Sequence, residues 1–312
     1  MMLNRPRPIR PGDKIAVVAP ASLPIELDTI EHGVSTLRAR GYEVLLPDAP
    51  FERYGYLAGS DARRADDLNH FLRRDDVAAI IAVRGGYGTL RILPQIDYEA
   101  ARRHPKLLVG YSDITALQLA LLTKSGVPSL SGPMIAVEWG EPHGPSEQLF
   151  WDLARGAAAG DVIGPGGEML EAMSSGEATG PLIGGNLMLI SRLIGTPFMP
   201  DLDGAILFLE EVGEEPYKID GQLAHLQLAG VLDRIGGLVI GGFTDWEPKH
   251  DRPSLTLDQV FDDYLRGRPY PIARGLRYGH FPDKNTIPIG VRARLSVGGT
   301  TASLSILEPV TA

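Results

Sequence analysis

Short apolar segments alternate with amphipathic ones in the first part of the chain, and this alternation restricts the possible folds more than any other feature. The apolar segments are rich in β-branched residues, as strands buried on both faces of a sheet are; they cover 14–19, 42–46, 77–83 and 106–110. The amphipathic segments have apolar residues at helical spacing and cover 26–40, 61–74 and 113–124. Strands that alternate with helices predict a parallel α/β sheet with helices on both faces.

The pattern changes in the second half of the chain. Residues 146–175 are rich in glycine, proline and alanine and have little periodicity, which predicts a linker. Beyond it we expect helices at 185–194 and 220–228, and strands at 204–210, 238–242, 291–297 and 302–307, the last two forming a hairpin. The sequence therefore predicts an α/β domain over 1–145, the linker over 146–175, and a mixed α+β domain over 176–312.

The balance of charges and the lack of cysteine exclude several classes of protein. Lys and Arg total 30 against 39 Asp and Glu, a formal net charge of −9, whereas proteins that bind nucleic acid need a basic face to neutralise phosphates. Without cysteine, disulfides, cysteine nucleophiles and cysteine-bound metals are excluded. The first residues contain no apolar signal segment, and no apolar run approaches the roughly 18 residues of a membrane span. We expect a cytoplasmic protein that binds neither nucleic acid nor membranes.

The first candidate for chemistry is Ser112, in the segment Gly-Tyr-Ser-Asp-Ile at 110–114. It lies between a predicted strand and a predicted helix, where the free N–H groups of the helix start can hold an oxyanion. The segment resembles the nucleophile elbow G-x-S-x-G, except that Ile114 replaces the last glycine. Considered alone, the motif favours a simpler interpretation, in which Ser112 only caps the helix.

A second candidate is the glycine-rich segment Arg-Gly-Gly-Tyr-Gly at 84–88, which follows the third predicted strand. Adjacent glycines allow close approach of a ligand to the backbone and can aim N–H groups at it. The spacing matches neither a Walker A loop nor a dinucleotide-binding fingerprint. A tight turn between strand and helix is nearly as good an interpretation.

Further candidates occur in the second half. Glu210 and Glu211 end an apolar strand and lie on opposite faces of it, so that one carboxylate could orient a histidine. His280, in a loop rich in glycine and proline, is a reasonable general base. The seven histidines form no close metal-binding pair. Together with Ser112 and the glycine-rich segment, these residues supply what a serine hydrolase needs.

Several ordered segments together resemble the LD-carboxypeptidases, the S66 class of serine peptidases, whose members include murein tetrapeptide carboxypeptidases and microcin C immunity peptidases. The resemblance covers nearly the whole chain and rests on 12–22, 84–88, 110–115, 184–187, 195–197, 209–217 and 279–280. It implies a flavodoxin-like N-terminal domain, and a C-terminal domain built on a barrel-like or sandwich-like sheet.

The resemblance also implies roles for particular residues. Ser112 matches the nucleophile, His280 its base, and Glu210 the carboxylate that orients the base. Members of the family often have Glu-Asp where this chain has Glu210-Glu211, so the first glutamate is the matching one. The backbone amide of Asp113 and that of Gly85 or Gly86 resemble the oxyanion hole, and the sequence does not choose between the two glycines. Arg84 is the nearest cationic candidate for binding the terminal carboxylate of a peptide.

The implied activity is that of a serine carboxypeptidase which releases the terminal D-Ala from a murein tetrapeptide in cell-wall recycling, with no metal or organic cofactor. We expect a small muropeptide as its substrate and a homodimer as its assembly. The main alternative is an immunity peptidase that cleaves a peptidyl-nucleotide antibiotic. An α/β-hydrolase esterase is disfavoured because the elbow lacks its last glycine and no His-Gly-Gly oxyanion motif is present. A non-catalytic ligand-binding protein is also disfavoured, because the matches of Ser112, Glu210 and His280 to the three catalytic positions of the family would then be coincidental.

Overall fold

A computed structural model describes residues 2–48, 51–140, 147–157, 160, 170–248 and 253–312. The chain divides into two compact units. The first comprises Met1–Ala158, Thr286–Val291 and Pro309–Ala312, and the second comprises Ala159–Asn285 and Arg292–Glu308. Two short segments from the predicted C-terminal domain, 286–291 and 309–312, therefore group with the first unit.

The strands and helices of the first 157 residues follow the predicted alternation. In chain order they are β1 Lys14–Val18, α1 Asp28–Ala39, β2 Glu43–Leu45, α2 Asp61–Arg73, β3 Val77–Ala82, α3 Thr89–Ile92, a 3-10 turn Leu93–Gln95, α4 Tyr98–Arg103, β4 Leu107–Gly110, α5 Ile114–Ser125, β5 Ser129–Ser131 and α6 Glu147–Ala154.

The later elements are strands and helices in less regular order. They are β6 Leu170–Ser174, β7 Gly176–Asn186, α7 Leu187–Leu193, β8 Ile206–Val212, α8 Pro216–Leu228, α9 Val231–Arg234, β9 Gly237–Thr244, α10 Leu257–Leu265, β10 Ile272–Arg274, β11 Ile287–Ile289, β12 Arg292–Gly298 and β13 Thr301–Ile306.

The sheet of the first unit has the strand order β11-β5-β4-β3-β1-β2. Its strands pair in parallel except β11, which is antiparallel to β5. Every residue of β3 is buried, as expected of a central strand with helices on both faces. The predicted flavodoxin-like parallel sheet is confirmed.

The strand β11 was not expected from the sequence. It is three residues long, and its middle residue is Pro288, which has no N–H to donate. An edge position tolerates a proline because one side of the strand needs no ladder hydrogen bonds. In this structure β11 occupies that edge, beside β5.

The second unit is built on a closed barrel of seven strands, in the order β10-β6-β13-β12-β7-β8-β9. The strands β7, β8, β9 and β10 pair in parallel, and the other pairs are antiparallel. The predicted hairpin is present as β12 and β13, with Gly298 paired to Thr301. Residues along β12 alternate between exposed and buried, as expected of a strand with one face toward a core. The mixed domain with a barrel-like sheet is confirmed.

Parts of the segment predicted as a linker, 146–175, are regular structure. It contains α6 and β6, and Phe150 and Trp151 of α6 are buried. The ring of Trp151 stacks on Tyr42 with 5.3 Å between ring centroids. Within this segment, residues 146, 158–159 and 161–169 lie outside the described residues.

The predicted helix at 185–194 starts later than expected. Its first two residues belong to β7, and α7 begins at Leu187. Asn186 caps α7, since its Oδ1 accepts a hydrogen bond from the N–H of Leu189 at 3.2 Å. In the described parts of the chain, no helix combines the length and apolarity that crossing a bilayer requires.

Candidate active site

Ser112 occupies the turn between β4 and α5, at the carboxyl edge of the parallel sheet. Its φ is +63°, a conformation that costs a non-glycine residue energy and often marks a functional position. Its carbonyl accepts a hydrogen bond from the N–H of Thr115 at 2.9 Å. The cap residue of α5 is Asp113, which makes no side-chain capping bond. The local geometry therefore favours the strained strand-to-helix turn of a nucleophile elbow over a simple serine cap.

The glycine-rich segment approaches this turn closely. A Cβ atom on Gly85 would lie 2.8 Å from Cβ and 3.0 Å from Oγ of Ser112, so a larger residue could not fit without movement. A Cβ atom on Gly86 would instead lie 2.5 Å from Oγ of Ser22. Oγ of Ser22 also accepts the N–H of Tyr87 at 3.3 Å. Gly85 therefore faces Ser112, whereas Gly86 faces Ser22.

Arg84 directly precedes the two glycines and follows β3. Its side chain is half-buried, and its Nε atom is buried with no hydrogen-bond partner among the described residues. A buried guanidinium N–H without an acceptor costs free energy.

In the second unit, the structure brings Glu210 and His280 together. Glu210 lies near the end of β8 and is fully buried. Its Oε2 atom is 2.7 Å from Nδ1 of His280, whose side chain is 20% exposed. With an ionised glutamate, Nδ1–H donates to the carboxylate, and the neutral ring then carries its lone pair on Nε2. A histidine held in one tautomer in this way can accept a proton at Nε2.

Glu211 makes a separate set of contacts on the other face of β8. Its Oε1 accepts hydrogen bonds from Nδ2 of Asn186 at 2.8 Å and from the N–H of Val212 at 3.0 Å. Its Oε2 accepts the N–H of Met188, in the first turn of α7, at 2.9 Å. Burial raises the pKa of Glu211 to about 7, with a further contribution from the charge of Glu210 and opposition from the hydrogen bonds. Glu211 is thus an anchor between β8 and the start of α7.

The loop that carries His280 is packed onto β9. The carbonyl of Tyr278 accepts the N–H of Gly242 at 2.8 Å, and the buried Tyr278 ring meets Phe208 edge-on at 5.2 Å. A Cβ atom on Gly241 would lie only 2.6 Å from the carbonyl oxygen of Tyr278. Two adjacent glycines in β9 therefore allow the loop to lie against the strand, next to Glu210.

The sequence patterns indicate no role for Tyr278, Gly241 or Gly242, and they include Asn186 only as part of the family segment at 184–187. The strand predicted at 238–242 ends with two adjacent glycines, and such a pair indicates that another segment of backbone approaches closely. The segment that approaches is about 36 residues further along the chain, and local patterns do not identify it.

Models of known protein families match both parts of the chain. The LD-carboxypeptidase N-terminal domain matches residues 15–132, and the LD-carboxypeptidase C-terminal domain matches residues 179–295. The order of the two domains in these families is thus the order found here.

Individual relatives are similar over nearly their full length. A probable murein peptide carboxypeptidase of Bacillus subtilis is 35% identical over 302 residues, which cover 96% of this chain and 93% of that protein. The microcin C7 self-immunity protein of Escherichia coli is 26% identical and is covered to 95%, with 96% of this chain aligned. A solved structure of muramoyltetrapeptide carboxypeptidase from Oxalobacter formigenes is 29% identical, with a TM-score of 0.82 over 95% of this chain and 99% of that one.

Proposed function

This chain belongs to the LD-carboxypeptidase family, and we propose on that basis that it is a serine carboxypeptidase which cleaves an L,D peptide bond and releases the terminal D-Ala of a murein tetrapeptide in cell-wall recycling. The names of the relatives from Bacillus subtilis and Oxalobacter formigenes support a murein peptide as substrate. The observation that carries the serine mechanism is the 2.7 Å contact between Glu210 and Nδ1 of His280.

In the proposed mechanism, Oγ of Ser112 attacks the scissile carbonyl carbon while Nε2 of His280 takes its proton. Glu210 stabilises the imidazolium that forms. The oxyanion accepts hydrogen bonds from the backbone N–H of Asp113 and from that of Gly85 or Gly86. Collapse of the intermediate breaks the peptide bond, and His280 gives the proton to the departing D-Ala. In the second half of the reaction, His280 takes a proton from water as the water attacks the acyl carbon. The bond to Oγ of Ser112 then breaks, and His280 returns a proton to that oxygen as the shortened peptide leaves.

Arg84 is proposed to bind the free carboxylate that an exopeptidase must recognise. A guanidinium forms paired hydrogen bonds with a carboxylate. The position of Arg84 directly before Gly85, which faces Ser112, supports this role. Cleavage of the last peptide bond follows if the carboxylate is fixed one residue beyond the scissile carbonyl.

A second candidate function is cleavage of a peptidyl-nucleotide. The observation that favours it is the near full-length similarity to the microcin C7 self-immunity protein. Such an enzyme would share the proposed Ser112, Glu210 and His280 and differ in the pocket that holds the leaving group. Family membership argues against an esterase and against a non-catalytic binding protein. The cytoplasmic location and the homodimer stay predictions.

The test is release of alanine from two tetrapeptides that differ only in the configuration of the terminal alanine. Inverting the last α-carbon puts a methyl group where the carboxylate belongs and leaves buried donors unpaired. A site built on polar contacts rejects such an analogue by about 10⁴-fold, whereas a misplaced methyl alone costs roughly 10–200-fold. We expect mass spectrometry to detect release of D-Ala and much slower release of L-Ala, expressed in kcat/KM.

The control is Ser112→Ala, which should fold and lose activity by roughly 10⁶-fold in kcat. Similar rates for the two epimers would contradict the proposed specificity and favour the peptidyl-nucleotide substrate. Substantial activity in the Ser112→Ala variant would contradict the serine mechanism itself.

A further inference from the structure

Two hydrogen bonds from one buried residue join the glycine-rich loop to the Ser112 turn. Thr89 is the first residue of α3 and directly follows the loop at 84–88. Its N–H donates to Oδ2 of Asp113 at 2.9 Å, and its Oγ1 donates to the carbonyl oxygen of Asp113 at 2.6 Å. Thr89 is fully buried and Asp113 is 3% exposed. The pair fixes both the distance and the relative orientation of two segments that lie 24 residues apart.

A second buried residue, Arg64, contacts Gly88 at the end of the glycine-rich loop. Arg64, on α2, is 1% exposed. Its Nη1 donates to the carbonyl of Gly88 at 3.0 Å and also to the carbonyl of Pro20, two residues after β1. A Cβ atom on Gly88 would lie 2.7 Å from that Nη1. The guanidinium therefore fills the space next to Gly88 and prevents the loop end from moving away from α2.

The hydrogen bonds to Asp113 matter because its carboxyl group is buried. Burial raises the pKa of Asp113, and hydrogen bonds from Thr89 and from the Gly88 backbone oppose that shift. A buried carboxyl without those donors would be costly. Loss of the donors would therefore disturb Asp113, whose backbone N–H is one of the two proposed oxyanion donors.

We propose that Thr89 is a positioning residue of the reaction: through its two hydrogen bonds to Asp113, it sets the separation between the two backbone segments that donate to the oxyanion. The inference rests on the proposed serine mechanism. Asp113 lies beside Ser112 on one segment, and the glycine-rich loop that ends at Thr89 is the other. Thr89 itself touches no reacting atom.

The expected effect follows from the geometry of an oxyanion hole. Its donors act only at about 2.7–3.1 Å from the developing oxyanion. A displacement of about 1 Å can lower a rate by about 100-fold. Substrate binding depends on other contacts. Loss of the Thr89 hydroxyl should therefore lower kcat and leave KM nearly unchanged.

The experiment measures kcat and KM on the D-Ala tetrapeptide, together with the rate constant for labelling by a fluorophosphonate. In labelling, an O–P bond forms at Ser112, fluoride leaves, and the phosphoryl oxygen requires the same donors. Thr89→Val and Thr89→Ala remove the hydroxyl, whereas Thr89→Ser keeps it. The control is Thr123→Val, which removes another threonine hydroxyl bonded to a backbone carbonyl, at 2.8 Å, in the last turn of α5.

We expect Thr89→Val and Thr89→Ala to lower kcat and the labelling rate constant by about 10–100-fold, with KM changed by less than about threefold. Thr89→Ser and Thr123→Val should remain close to the wild type. The Ser and Ala variants differ only in the hydroxyl, so this pair decides the question even if Thr89→Val does not fold.

Equal labelling rate constants in Thr89→Ser and Thr89→Ala would overturn the inference while leaving the serine mechanism intact. The variants could instead contain less folded protein, and that folded protein could label with the wild-type rate constant. This outcome would also overturn the inference, because the effect would then be purely structural. Failure of the wild type to label at Ser112 would overturn the proposed function, and this inference with it.

Discussion

Glu210 and Glu211 are neighbours in sequence with opposite surroundings. Side chains of adjacent strand residues point to opposite faces, so only Glu210 contacts His280, while Glu211 contacts Asn186 and α7. Glu210 is the proposed orienting acid, and Glu211 connects two secondary-structure elements. The two carboxylates should therefore respond differently to the same substitution.

We expect Glu210→Gln to lower kcat much more than Glu211→Gln does. An amide at position 210 cannot stabilise the imidazolium of His280, and loss of the orienting acid costs about 10⁴-fold where the acid fixes the tautomer. Glu211→Gln keeps one carbonyl acceptor for its partners and should cost less than about tenfold. Steady-state kinetics of both variants on one substrate checks this, and equal losses would reverse the assignment of the two residues.

The ionisation of Glu211 predicts a pH dependence of stability. Its pKa in the folded protein is about 7, above the ordinary value of 4.5. Between these values the folded chain binds more protons than the unfolded chain. Protonation of Glu211 therefore stabilises the folded protein most below pH 4.5. This stabilisation, at most about 3 kcal/mol, is lost as the pH rises through 7.

Urea unfolding of the wild type and of Glu211→Gln at pH 5 and pH 8 measures this contribution. The glutamine cannot ionise, so the stability of the variant relative to the wild type should increase between the two pH values. A difference that is constant with pH would mean that the folded protein does not raise the pKa of Glu211.

At the scale of elements, the site depends on the close approach of β7 and β8. These strands pair in parallel, with Gly184 opposite Phe208 and Asn186 opposite Glu210. A Cβ atom on Gly184 would lie 2.0 Å from the carbonyl oxygen of Phe208. Because position 184 is glycine, β7 and β8 can lie this close together. Asn186 and Glu210 follow two residues later on the two strands.

Gly184→Ala should lower both stability and activity. The added methyl group would overpack the contact, which costs about 1–3 kcal/mol of stability. If β8 moved away to relieve the clash, Glu210 would move with it. The control is Gly221→Ala on α8, where a Cβ would meet nothing within 4 Å and the alanine should stabilise the helix by up to about 1 kcal/mol. Urea unfolding together with kcat tests both variants. Unchanged values for Gly184→Ala would show that β7 and β8 tolerate a wider spacing.

At the scale of the whole molecule, Ser112 follows a strand of the parallel sheet, Glu210 lies on a strand of the closed barrel, and His280 lies in the loop between β10 and β11. The proposed chemistry uses side chains and backbone amides alone, and the proposed proton acceptor is oriented by a carboxylate. Turnover should therefore be unchanged after incubation with EDTA and dialysis. The assay is D-Ala release before and after this treatment. Loss of activity that zinc restores would indicate a metallopeptidase and contradict the mechanism.

The sequence alone determined the layered α/β architecture of the first unit. Its strands are short apolar runs separated by amphipathic helices, and such patterns are local, so the residues themselves carry them. The same holds for the hairpin of β12 and β13, whose strands are joined by two glycines. Resemblance to a family singled out Ser112, Glu210 and His280, and the structure pairs the last two.

Only the tertiary structure decided the pairings between distant segments. It assigned β11 to the edge of the sheet, closed the barrel through β9 and β10, and joined Thr89 to Asp113. None of these segments contains a local pattern that specifies its partner. Their positions follow from which surfaces and hydrogen-bonding groups remain unpaired when the rest of the chain has folded, and that is a property of the whole fold.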